Sequence, residues 1–259
     1  MFKLNKEYLL SFIVLIACMS VFFISPIAQD VSYHSFVDQR TLFNIPYFAD
    51  VVSNLPYALV GIIGCIACYQ QKLHLMSRSI GSYYVFFIGL ILIAVGSSYY
   101  HSQPNNETLL WDRGAMVLSF MAFFHIIIAE RISIKYGSFL LSLFLLLGIT
   151  SVLYWFFTET QGRGDLRFYG LIQFLPMILI PLVLVIYRKK FTYDGLIWGV
   201  LIGYAMAKVC EIYDAEIFIA LGGVMSGHTL KHLVSALGAA CFLWALFIRK
   251  PYLHKEYDS

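Results

Sequence analysis

Two pairs of residues spaced four apart, with one carboxylate beside them, carry the chemistry this chain can do. His228 and His232 stand at i and i+4, as do Ser97 and His101, and Asp112 follows eleven residues after His101. On a helix, residues four apart share a face with Cβ atoms about 5–6 Å apart. That separation suits two imidazoles on one zinc ion, with Zn–N of about 2.0–2.1 Å. A third imidazole from His101 would leave the fourth position of a tetrahedral ion open, the mark of a catalytic rather than a structural zinc. Such an ion brings the pKa of its water towards about 7. Asp112 then reads as the proton acceptor, and Ser97 as a hydrogen-bond donor to a developing oxyanion. An H-x-x-x-H alone is a weak signal, and its commonest occurrence is a helix face without metal. The added Ser, His and Asp make it a constellation.

The elements that must hold these residues are membrane helices. Of 259 residues, 60% are hydrophobic and 13% charged, and the mean hydropathy is +0.76. A soluble domain carries about 25% charged residues, so this chain has too few to coat a soluble surface. Its apolar residues form runs close to the roughly 20 residues that cross a bilayer. Spans are expected at about 8–27, 51–69, 82–100, 114–129, 138–157, 169–187, 195–213 and 226–248. The fold class is all-α: a polytopic membrane bundle with a seven-helix core and an extra N-terminal segment. Residues 1–30 form that transmembrane or signal-like segment, read as a retained helix because its run is long. Residues 31–259 form one membrane domain. A net charge of +3 gives no reason to expect nucleic acid, and nothing fixes the oligomeric state.

Positive residues in excess mark cytoplasmic loops. Lys3, Lys6, Lys72, Arg78, Arg131, Lys135, Arg188, Lys189, Lys190, Arg249, Lys250 and Lys255 all fall on one side if the eight segments span. Asp30, Asp38, Asp50, Glu107, Asp214 and Glu216 fall on the other. Arg163 and Arg167 dissent, with Glu159 and Asp165 beside them. The C-terminus is therefore expected in the cytoplasm. The same alternation brings Ser97, His101, Asp112, His228 and His232 to one depth near the outer face.

Other polar residues sort by depth. His125 lies thirteen residues beyond Asp112, about 20 Å along a helix, too deep to join. His74 and His254 are on the inner side. His34, in an outer loop, is the one stray candidate ligand. Lys208 and Glu211, at i and i+3, read as an intramembrane ion pair or as a head-group contact, and Lys231 as a partner for Glu211 or Asp214. Asn54 and Pro56 shape a helix start. Cys18, Cys65, Cys68, Cys210 and Cys241 all lie in apolar runs and read as small packing residues.

At these residues the chain resembles the alkaline ceramidase family, within the seven-helix membrane hydrolases that include the adiponectin-type receptors. The matching pieces are Val52-Ser53-Asn54, Ser97-x-x-x-His101, Asp112-Arg113 and Ser226-Gly227-His228-Thr229-Leu230-Lys231-His232, over residues 50–248. The resemblance implies an intramembrane zinc held by His101, His228 and His232, with Asp112 activating water and Ser97 helping the oxyanion. It also implies hydrolysis of the amide bond of a ceramide-like lipid to a sphingoid base and a fatty acid. The stretch from Tyr33 to Asp38 departs from the family pattern, since it lacks an acidic cluster for calcium. With the extra N-terminal segment, this is closer to the bacterial branch and an inner-membrane location. The alternative is a receptor or other non-catalytic member of the same superfamily. A transporter fits less well, because the polar groups gather near one face rather than along a path through the midplane. A retinal protein built on Lys231 fits less well too, because the flanking histidines suit a metal.

Overall fold

The computed structural model describes residues 5–133 and 137–252. Among them the regular structure is helical, with only two isolated β-bridges. The helices are α1 (Lys6–Ser20), α2 (Phe48–Val52), α3 (Leu55–Tyr69), α4 (Ile80–Ser102), α5 (Asn106–Arg131), α6 (Gly137–Thr160), α7 (Arg167–Ile186), α8 (Trp198–Ile212), α9 (Asp214–Ala220) and α10 (Gly227–Ile248). Among the described residues, eight spans are long and apolar enough to cross a membrane, one for each expected segment. The protein is an all-α polytopic bundle. Lys3, Lys135, His254 and Lys255 lie outside the described residues.

Three boundaries differ from the sequence reading, each for a local reason. The second span breaks at Ser53-Asn54 into α2 and α3, with Pro56, which has no N–H to donate, in the first turn of α3. The fourth starts at Asn106, eight residues before the apolar run. There the Asn105 side chain accepts from the backbone of Glu107 and Thr108, and the Thr108 hydroxyl answers the backbone of Asn105 in a capping box. Asp112 therefore sits in the second turn of α5 rather than at its mouth. The seventh is followed by the short α9, begun by Asp214.

Helix α4 packs between α3 and α5, α5 also meets α6 and α7, and α10 packs on α8 and α3. The shared core is aromatic. The Phe242 ring meets Phe86 and Phe123 edge-to-face, with centroids 5.3 and 5.1 Å apart. Large apolar side chains such as Leu59, Val95, Leu153, Val185 and Trp244 point outward. That arrangement suits a protein whose solvent is lipid. Helix α1 is peripheral: none of its residues is buried, and it touches α7.

The basic loops gather at one end of the bundle. There Lys6 Nζ donates to the Ile186 carbonyl at 2.7 Å, Arg131 Nη1 to the Tyr187 carbonyl at 2.9 Å, and Arg249 Nε to the His74 carbonyl at 2.8 Å. Arg249 also grips the buried Glu130 with both nitrogens, at 2.6 and 3.1 Å. Arg167, one of the two dissenting cations, is paired with Asp165 at 2.7 Å at the opposite end.

Candidate metal centre and cavity

That opposite end carries the histidines, and close helix approach puts them there. Gly96 lets α4 press on the backbone of α5, since a Cβ would stand 2.7 Å from the Trp111 carbonyl oxygen. Gly227 does the same for the start of α10, where a Cβ would stand 2.7 Å from Cα of Asp214. The first turn of α10 is fixed twice. Ser226 Oγ accepts from the Thr229 N–H at 3.0 Å, and Asp214 Oδ1 from the His228 N–H at 2.7 Å. These caps satisfy donors that a helix start leaves free.

The result is a triangle of imidazoles. The ring centroids of His101, His228 and His232 are 4.7, 4.9 and 5.0 Å apart. Their candidate ligand atoms all lie within 4.8 Å of one another, and all three residues are buried. Nε2 of His101 and Nε2 of His228 face each other at 3.3 Å. Two nitrogens bound to one tetrahedral ion at about 2.0–2.1 Å sit at very nearly that spacing. Nδ1 of His232 is held by Ser53 Oγ at 2.8 Å, and Ser53 Oγ in turn meets the Asp50 carbonyl at 3.0 Å. Fixing one ring nitrogen leaves Nε2 for a metal, the usual outer support of a ligating histidine. The donor set therefore fits a metal ion of the zinc type.

Beside the triangle opens a cavity of about 290 Å³. Ser97, Asp112 and His232 line its polar end, and Phe86, Phe123 and Ala239 its apolar depth. The Ser97 side chain interacts with the Asp112 carboxyl. Ser97 and Phe86 lie eleven residues apart on α4, about 16 Å along the helix. The cavity thus runs from the candidate metal centre towards the aromatic core.

Several sequence-level candidates find other employment. His34 is no ligand: its ring nitrogens contact the Tyr100 hydroxyl at 2.9 Å and Asn106 Oδ1 at 3.0 Å. His125 sits well down α5, against Ser82 Oγ at 2.6 Å. Glu211 pairs with Lys208 at 2.5 Å and Lys231 at 3.6 Å. Asp214 caps α10. Asn54 donates to the Asp50 carbonyl at 2.8 Å.

Other residues of the site escaped sequence reading. The segment 24–47 crosses this end of the bundle, and Phe36 seals the triangle. It is 4% exposed, with its ring centroid 4.6 Å from His101 and 4.5 Å from His228. Asp50 is fully buried and accepts from the Thr229 hydroxyl at 2.6 Å. Nothing in the periodicity of these stretches separates them from ordinary loop and helix residues. Asp38, within the crossing segment, is held below the usual carboxylate range by its hydrogen bonds from Arg40.

In a bundle of helices long and apolar enough to cross a membrane, three buried imidazoles form a group that could hold a metal ion, and one of them, His232, lines the cavity. The family model for ceramidases matches residues 44–258. The chain belongs to the ceramidase family, which makes it by descent a hydrolase of amide bonds. A search of curated proteins found no match.

Proposed function

We propose that the protein is a zinc-dependent hydrolase that cleaves the amide bond of a ceramide-like lipid within the membrane. The observation that carries this reading is the buried triangle of His101, His228 and His232, one member of which, His232, lines a largely apolar cavity together with Asp112 and Ser97. His101, His228 and His232 are the proposed metal ligands. Zinc bound there would supply Lewis acidity and an acidified water near neutral pH.

The remaining work belongs to side chains. An Asp112 carboxylate oxygen accepts the proton of the attacking water as the C–O bond forms. Ser97 Oγ–H donates to the substrate carbonyl oxygen as charge develops on it. Asp112 then returns the proton to the departing nitrogen, and the C–N bond breaks to give a fatty acid and the free amine of a sphingoid base. Phe36 and the 24–47 crossing keep bulk water off the ligand triangle. The apolar depth of the cavity takes an acyl chain. Residues 31–259 act as one unit, with residues 1–30 appended. By the positive-inside rule the C-terminus is cytoplasmic and the site lies near the outer face, in a bacterial inner membrane.

The test is release of labelled fatty acid from an N-acyl-labelled ceramide by protein in lipid nanodiscs, before and after chelation. Turnover should vanish with the zinc and return with it. Turnover that persists after the zinc is gone would remove the metal from the account. A zinc-loaded protein that releases no fatty acid from any ceramide would remove the activity.

A further inference from the structure

The mechanism leaves one charged cluster in the cavity unused. Lys208, Glu211 and Lys231 line it together with Asp112. Glu211 is shared three ways: Lys208 Nζ lies 2.5 Å from Oε2, the Tyr33 hydroxyl donates to Oε1 at 3.2 Å, and Lys231 Nζ stands 3.6 Å from Oε1. The Glu211–Lys231 distance is an ionic contact but too long for a good hydrogen bond. Among the described residues no acceptor stands within hydrogen-bond distance of the Lys231 ammonium, although its side chain is only 19% exposed. An ammonium with three donors at membrane depth is costly unless acceptors meet it.

The charge balance points the same way. Three cations line the cavity, Arg113, Lys208 and Lys231, against two carboxylates, Asp112 and Glu211. Arg113 is boxed by aromatic rings, 4.1 Å from the Trp155 centroid, and its buried Nη1 has no hydrogen-bond partner. Lys231 lines the same cavity as the proposed ligand His232 and as Asp112. A group it held would therefore share that cavity with the reacting centre, with the apolar depth free for a chain.

We infer that Lys231, braced by Glu211 and Lys208, is a head-group subsite that takes an anionic group, a phosphate or its equivalent, on the polar end of the lipid. The inference rests on the lipid-cleaving reading for the nature of the occupant, but its test reads binding and not turnover. Glu211 holds the two ammonium groups in place while leaving Lys231 with donors to spare. The phosphate oxygens fill those donors and offset the surplus positive charge.

The probes are a ceramide analogue with a sulfonamide in place of the amide, which has no scissile carbonyl, and its 1-phosphate. Binding is measured on zinc-loaded protein in nanodiscs, for wild type, Lys231→Met and Lys231→Arg. Wild type should prefer the phosphate by on the order of tenfold or more, the scale of a charged hydrogen-bonded contact. The preference should collapse towards unity in Lys231→Met and survive in Lys231→Arg. Zinc content of each variant reports whether it has folded, and Lys231→Arg keeps the test open if Lys231→Met does not fold. Equal affinity of wild type for the two probes would overturn the subsite, as would an undiminished preference in Lys231→Met. Lys231-dependent binding of a free fatty acid without that of the phosphate would also overturn it, since the site would then serve the product carboxylate. A protein that shows the preference but cleaves no ceramide keeps the subsite and loses the hydrolase reading. One that cleaves ceramide without the preference does the reverse.

Discussion

Ser53 Oγ lies 2.8 Å from Nδ1 of His232, across 179 positions of sequence. The contact sits where α2 gives way to α3, so the break in that span places a hydroxyl behind a proposed metal ligand. Removing such outer support costs about 10–100-fold in metal affinity or activity in zinc sites. Ser53→Ala should weaken zinc binding within that range while leaving the helical fold intact. Competition against a chelator of known affinity measures it. Unchanged affinity would mean that packing alone orients His232.

The contrast between what the sequence discloses and what it hides is physical. Eight spans are legible because each must be apolar over its whole length, a local property. The pairs Ser97/His101 and His228/His232 are legible because helix geometry makes i and i+4 neighbours. Their meeting is legible because loop charges fix which end of each helix is which. Phe36 and Asp50 are not legible: their roles come from a crossing loop and from contacts between distant segments, which no period records. The early start of α5 was hidden too. A polar first turn, Asn106-Glu107-Thr108, looks like loop until the Asn105 capping box is seen. His34 misleads for the same reason, since Tyr100 and Asn106 claim it only once the fold is formed.

At the far end of the bundle, Glu130 and Arg249 form a buried bidentate pair joined by the Tyr83 hydroxyl. Stripping one partner from a buried pair leaves an uncompensated charge, at a cost of about 3–5 kcal/mol. Glu130→Ala should therefore lower the thermal midpoint of the detergent-solubilised protein by several degrees. Zinc per folded molecule should not change, because the pair is remote from the histidines. A midpoint equal to wild type would show that the pair is dispensable.

The basic end and the histidine end should lie on opposite sides of the membrane. Reporter fusions at Gln71 and Asn105 check this: the first should read cytoplasmic and the second external. A cytoplasmic signal at Asn105 would invert the orientation and place the site at the inner face.

The role of Asp112 tests the central claim most directly. Asp112→Asn preserves shape and spares all three histidines, so the variant should keep its zinc, but the amide nitrogen cannot accept the proton of an attacking water. Positioned acid–base groups contribute about 10²–10⁴-fold. Zinc content and release of labelled fatty acid from ceramide should be measured on the same preparations of wild type and Asp112→Asn. The account predicts equal zinc and turnover reduced at least a hundredfold, on the low side of that range. Wild-type turnover by zinc-loaded Asp112→Asn would contradict it.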